Sequence, residues 1–348
     1  MLMKIKTLPF LLAGFSTVFA AICSNGKTVG NAACCQLFPL LADLQENLFD
    51  SPCNEPVREV LHLAFHDAMG FSIRGGVGGG SDGSIITFAS IETTFPENTA
   101  LVGVIGWVTP LIARHNFSDG DFLHFAAAVG IATCPGAPRP NFLLGRPQAR
   151  APAESGLVPN ASDSVTAILA RFADVNINPS EVVALLAAHS VAADYDTDPV
   201  IPGAPFDTTP GIFDTQIFTE VLLRGVLFPG NGSNVGEVLS PLRGEVRLQS
   251  DFEIARDSRT ACLWKELVGN QARMQSQFKA AFSSLSVTGQ NTAAMVDCSD
   301  VIPIPAPVTV PPFFPQGFTS ADIEDFCPSV QLPPLSTLPG PAPIVDSA

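Results

Sequence analysis

Cys34 and Cys35 stand side by side in the chain. Neighbouring cysteines cannot easily bridge each other, so each must reach elsewhere and tie the N-terminal segment to distant parts of the sequence. With Cys23, Cys53, Cys134, Cys262, Cys298 and Cys327 they make eight, an even set that implies four disulfides in an oxidising compartment. Spacing alone leaves the pairing open. The first twenty residues agree with that setting: Lys4 and Lys6 form a basic start, Leu8 to Phe19 an apolar stretch, and Val18-Phe19-Ala20 a cleavage site. Residues 1–20 therefore read as a signal peptide. Asn116-Phe117-Ser118, Asn160-Ala161-Ser162 and Asn231-Gly232-Ser233 are N-glycosylation sequons. No later apolar run is long and uncharged enough to span a bilayer. The expectation is a secreted, extracellular, soluble glycoprotein.

At 348 residues, with 46% hydrophobic residues and a mean hydropathy of +0.30, the chain can bury a large core. A formal charge of -15 and a pI near 4.6 argue against nucleic acid or an anionic membrane as partner. Strand-like alternation is scarce. Apolar residues recur at three- and four-residue intervals over 36–49, 56–69, 99–112, 119–131 and 162–173, which predicts helices. Asn178-Pro179-Ser180-Glu181 is a helix start with a cap, a first-turn proline and a reciprocal Glu, and that helix delivers His189 near its C-terminal end. Further helices are expected over 215–223 and 259–282. The proline-rich segment from about Pro303 reads as an extended strap pinned by Cys327.

Only five histidines occur, so the words around them matter. His66 ends the amphipathic run Leu61-His62-Leu63-Ala64-Phe65-His66-Asp67, where a side chain can face a cavity, and His189 lies in Ala188-His189-Ser190. Together they suggest the two faces of a haem pocket: one imidazole on the iron, the other kept off it to move a proton across bound peroxide. Phe65-His66-Asp67-Ala68, Ala188-His189-Ser190-Val191-Ala192, the run Pro205 to Asp214 and Gln249-Ser250-Asp251 carry a close resemblance to the secreted fungal class II haem peroxidases, the lignin, manganese, versatile and generic enzymes. It extends from Cys23 to about Cys327.

The resemblance implies a mainly α, two-lobed fold with haem b between the lobes. A distal lobe would span about 21–160, a proximal lobe about 161–302, and a C-terminal extension 303–348. It makes His189 the iron ligand, Asp251 the acceptor of its other ring proton, His66 the acid–base catalyst and Asn98 the group that fixes the His66 tautomer. Phe65 and Phe206 would flank the pocket. Asp67, Gly80, Asp82 and Ser84 would hold one Ca2+, and Ser190, Asp207, Thr209, Ile212 and Asp214 a second. The implied disulfides are Cys23 with Cys35, Cys34 with Cys298, Cys53 with Cys134, and Cys262 with Cys327. Hydrogen peroxide and small phenols, dyes or lignin-related compounds are the implied partners of a monomer.

The chain departs from the family at three places. Four residues before the distal histidine the family has an arginine and this chain has His62, whose neutral ring lacks the guanidinium's permanent charge. Arg58, two turns from His66, could substitute only by rearrangement. The surface tryptophan of the high-potential members is replaced by Ala184, and Trp107 and Trp264 lie elsewhere. Of three Mn2+-binding carboxylates, Glu55 and Glu59 align with the first two, while the third position is Tyr195, flanked by Asp194 and Asp196. Tyr195, the only tyrosine, is a candidate radical site. The leading reading is a generic, low-potential peroxidase, with an atypical manganese peroxidase second. A haem protein with impaired catalysis and a non-haem metal site on Glu55, Glu59, His62 and His66 are the further alternatives.

Overall fold

The computed structural model describes residues 20–232 and 234–348, so the signal peptide, apart from Ala20, lies outside the described residues, as does Ser233 of the third sequon. Helices dominate, and the strands among the described residues are two-residue pairs. The helix Leu37–Asn47 buries Leu37, Leu40, Leu41 and Leu44, the i, i+3, i+4, i+7 face of an amphipathic helix. Glu55–Met69 begins with Asn54, whose side chain accepts from the Val57 N–H, and with proline in its first turn. It packs most extensively on Asp119–Ile131. That second helix is buried on all sides from Gly120 to Ile131, which makes it the central rod of this half of the molecule.

Asn178 forms the expected capping box with Glu181, but the α-helix Pro179–Leu185 tightens into a 3-10 turn over Leu186–Val191, and His189 sits on that turn. The helix expected over 259–282 is two helices, Ala261–Lys265 and Gln271–Leu285. Gly269 adopts a left-handed φ of 64° and Asn270 caps the second helix by accepting from the Arg273 N–H, so the chain stops and restarts there. Gln271–Leu285 packs on Pro179–Leu185. The predicted 162–173 helix starts at Val165, where Ser164 provides the cap.

The disulfides are Cys23–Cys35, Cys34–Cys298, Cys53–Cys134 and Cys262–Cys327. Cys34–Cys298 joins residues 264 apart, and closing so long a loop stabilises by about 5 kcal/mol in the chain-entropy account. The fully buried Arg146 links the helical half containing Asp121, at 3.0 Å, to the end of Gln271–Leu285 through the Ser286 carbonyl at 2.5 Å. From Pro303 the chain runs as a strap with a parallel pair, Phe313–Phe314 against Ser336–Thr337. Lys265 to Asp325 at 2.7 Å and Arg256 to Glu324 at 2.6 Å fasten it, and its final N–H, from Ala348, reaches the Gly203 carbonyl at 2.9 Å.

Candidate active site

A cavity of about 500 Å3 lies between Glu55–Met69 on one side and Leu186–Val191 on the other. Phe65, Phe172, Leu185, Phe206, Phe282 and Leu285 give it apolar walls, and His62 and His189 reach it from its two sides. The Arg58 Nε donates to the Val191 carbonyl at 2.8 Å, which braces one wall against the other and commits Arg58 away from His66.

His189 Nδ1 lies 2.7 Å from Asp251 Oδ2, and the carboxylate is almost wholly buried. A carboxylate can only accept, so Nδ1 carries the proton and Nε2 is the free nitrogen. Burial pushes His189 down, but the charge of Asp251 and its hydrogen bond together outweigh it and raise the imidazole pKa. Phe206 packs beside His189 with ring centroids 5.3 Å apart. These features fit a haem iron ligand: a directed free nitrogen, an electron-rich imidazole and an apolar chamber beside it.

On the opposite wall His66 Nδ1 is 2.8 Å from Asn98 Oδ1, and Asn98 Nδ2 donates to the Glu92 carbonyl at 3.1 Å. The second bond fixes the amide's orientation, so the Asn98 oxygen accepts from His66 Nδ1–H and leaves Nε2 bare. Burial lowers the His66 pKa to about 4 against the raising effects of Asn98 and Glu97. His62 lies edge-on to His66, with centroids 4.4 Å apart and planes at 88°. His62 is enclosed deep in the protein, and its free surface faces the cavity. Burial, then His66 and His189, hold its pKa well below the usual imidazole range.

Two loops beside these histidines gather buried oxygens. Asp67 accepts from the Gly83 N–H at 2.9 Å and the Ile85 N–H at 3.4 Å, and Asp82 accepts from the Ser84 N–H at 3.1 Å. Gly80 and Gly83 have φ of 76° and 80°, and a Cβ on Gly83 would fall 2.3 Å from the Gly120 nitrogen, so the loop lies directly on the central rod. Ser84 Oγ is buried beside Glu92 without a well-aligned hydrogen-bond partner. Burial first, and for Asp82 then the charge of Asp67, push both aspartates to about 7. In the second loop Thr209 bridges Asp207 at 2.8 Å, through its N–H, and Asp214 at 3.1 Å, through its hydroxyl. Asp207 Oδ2 is buried and unpaired, and Ser190 is fully buried beside His189. Burial raises Asp207 well above the usual range and Asp214 to about 7. Orphaned oxygens among carboxylates fit a hard cation in each loop.

Glu55, Glu59, Asp194, Tyr195 and Asp196 line one edge of the cavity. Burial, then Glu55, then Asp196, push Glu59 to about 7. Asp194 is occupied with the Thr197 and Asp198 N–H groups at 3.0 and 2.9 Å, so Asp196 is the flanking carboxylate free to act on Glu59. Among the described residues no three His, Cys, Asp or Glu side chains converge tightly enough to hold a metal ion alone, and this holds for Glu55, Glu59, His62 and His66 as for Glu55, Glu59 and Asp196. Ala184 is buried, and Trp264 is buried with its Nε1 donating to the Phe218 carbonyl at 3.0 Å. Asn116, Asn160 and Asn231 are all exposed.

Sequence reasoning missed His124, whose Nε2 meets Asp67 Oδ2 at 3.0 Å with both side chains buried. Its signal was the one polar residue in the apolar run Phe122 to Ile131. It also missed Arg146 and the bracing role of Arg58, since neither pairing is encoded in local spacing.

Residues 41–270 match the family model described as Peroxidase, and residues 273–348 match the one described as Fungal peroxidase extension region. The chain is 50% identical over 329 residues to Ligninase H2 of Phanerodontia chrysosporium, covering 92% of this chain and 88% of the relative. It is 50% identical over 328 residues to Manganese peroxidase 3 of Phlebia radiata, covering 92% and 91%. It is 48% identical over 331 residues to Versatile peroxidase VPS1 of Pleurotus eryngii, covering 93% and 90%. Helical architecture, cavity and likeness define the class, an oxidoreductase that uses hydrogen peroxide and depends on haem. The chain belongs to the peroxidase family, among the fungal members that carry the extension region.

Proposed function

We propose that the protein is a secreted, generic, low-potential peroxidase that takes single electrons from small phenols, dyes and lignin-related aromatics. The observation that carries the site assignment is His189 beside the apolar cavity with its Nδ1–H given to Asp251 at 2.7 Å. His189 Nε2 would hold the iron of haem b, and Asp251 would give the ring the anionic character that favours oxidised iron. Phe65 and Phe206 exclude water from the two faces. When bound, haem supplies the electrons that cleave peroxide and afterwards accepts them singly from reductants. The opposite imidazoles, His66 with Asn98 and its neighbour His62, move the peroxide proton. Exposed sequons, four disulfides and the N-terminal signal support secretion, with a catalytic region over about 21–302 and an extension over 303–348. Buried Ala184 at the position of the family's surface tryptophan supports low potential. Tyr195 at the cavity edge would relay oxidation of bulky phenols.

Peroxide-dependent oxidation of a simple phenol tests this reading. A neutral His62 cannot stabilise the developing negative charge as a guanidinium can, so His62→Arg should speed the first reaction with peroxide by about one to three powers of ten. A stopped-flow rate unchanged by that substitution would contradict the role given to position 62.

A second reading, manganese oxidation at Glu55 and Glu59, is favoured by one observation. Asp196 acts electrostatically on Glu59 from the loop where a third carboxylate is needed. Mn(II)-dependent turnover that falls at least tenfold in Glu59→Ala supports it, and turnover that is absent or unmoved removes it.

Asp67, Gly80, Asp82 and Ser84, and Ser190, Asp207, Thr209, Ile212 and Asp214, are proposed to bind one Ca2+ each. Without the ion, Asp67, Asp82 and Asp214 sit at about 7 when folded, against about 4 in an unfolded chain. Folding then binds extra protons between those values, so the contribution to stability is complete below about pH 4 and is lost as pH rises through about 7. In chelator the unfolding midpoint should fall over that range, and saturating Ca2+ should abolish most of the fall. Identical profiles with and without Ca2+ would rule out ions at these carboxylates.

A further inference from the structure

The cavity beside His189 has two rims of opposite character. One is acidic, with Glu55, Glu59, Asp194 and Asp196, while the other is formed by Ala100, Gly103, Val104 and Trp107 and carries no charge. The second rim belongs to the helix Val102–Ile112 and the turn before it. None of the residues from Asn98 to Ala113 is charged, in a chain of net charge -15. Val104, Ile105, Val108 and Leu111 are buried, but Val102 is 57% and Trp107 40% exposed. A Cβ on Gly103 or Gly106 would meet nothing within 4 Å, so the turn before Trp107 presents bare backbone to the outside. We infer that Trp107 is the docking residue for planar, uncharged aromatic reductants, phenols above all, at this rim. The inference rests on the peroxidase reading and deepens it.

An indole that both meets solvent and lines the cavity offers a ring something to pack on at the entrance to the chamber. Aromatic pairs gain from offset stacking or edge-to-face contact beyond the area they bury. The exposed apolar surface of Val102, Gly103 and Gly106 beside it adds area that an uncharged ring can cover. Charge selects the occupant. The acidic rim attracts cations and repels anions, whereas the Trp107 rim gives a charged donor no partner and a neutral ring no desolvation cost. Trp264, the other tryptophan, is wholly buried and can take no such part. Docking is a binding step, and Trp107 neither gains nor loses an electron in it.

Binding can be read without peroxide, from the broadening of the proton signals of a methoxylated phenol by the ferric haem of the holoenzyme. Trp107→Ala should weaken the phenol about fivefold or more, the worth of one aromatic contact, and Trp107→Phe, which keeps a ring, should stay within about twofold of the native protein. In turnover the loss should appear in KM for the phenol rather than in kcat, and ferrocyanide, a one-electron donor without a ring, should be affected about threefold less or better. Phenol affinity unmoved in Trp107→Ala would overturn the proposal. A fall in kcat in both variants with KM unmoved would also overturn it, by marking the indole as an electron carrier. So would a concentration-dependent dimer that Trp107→Ala abolishes while phenol affinity is unmoved, since the face would then join two copies of the chain. Native protein that binds the phenol through Trp107 yet oxidises neither donor with peroxide would contradict the peroxidase reading instead.

Discussion

The hydrogen bond from His189 to Asp251 is the interaction on which the site depends. It fixes which ring nitrogen is protonated, and so which one is bare, and joins the 3-10 turn Leu186–Val191 to the helix Gln249–Ile254. A charge-assisted bond of this kind contributes about 1.5–3 kcal/mol, and more is lost if one partner is removed and the other stays buried. The tightening of the helix after Leu185 matters for the same reason, since it sets the direction in which His189 projects.

The distal-wall histidine is followed at once by a residue that a loop holds. Asp67 follows His66 and is gripped by the Gly83 and Ile85 N–H groups and by His124, whereas Ser190, after His189, is fully buried and donates to the Ala187 carbonyl of its own turn. Coupling of this kind lets a distant loop determine the orientation of a reacting side chain through one peptide unit.

Much of this was legible in the chain because it is local. The Asn178–Glu181 capping box and the helix Asp119–Ile131 follow from residues a few positions apart, whereas the link between Asp67 and the glycine-rich loop, 16 to 18 positions on, was legible only through the family resemblance. The break between Ala261–Lys265 and Gln271–Leu285 was missed because the apolar period continues through it, while the α-helix stops at Lys265, gives way to i→i+3 turns and then meets the left-handed Gly269. Contacts made across the fold, such as Arg58 to Val191 and Arg146 to Ser286, join residues more than a hundred positions apart and leave no mark in periodicity. The choice of Asp196 over Asp194 depended on which carboxylate the backbone of the loop had already claimed. His62 was legible as a departure, but its place on the cavity wall beside His66 required the packed rings.

The most direct measurement is the visible spectrum of the haem-loaded protein beside that of His189→Ala, each with and without added imidazole. The account predicts a haem band in the native protein, its loss or a cofactor affinity at least tenfold weaker in His189→Ala, and recovery when free imidazole fills the space of the missing ring. An unaltered spectrum and unaltered haem affinity in His189→Ala would contradict it.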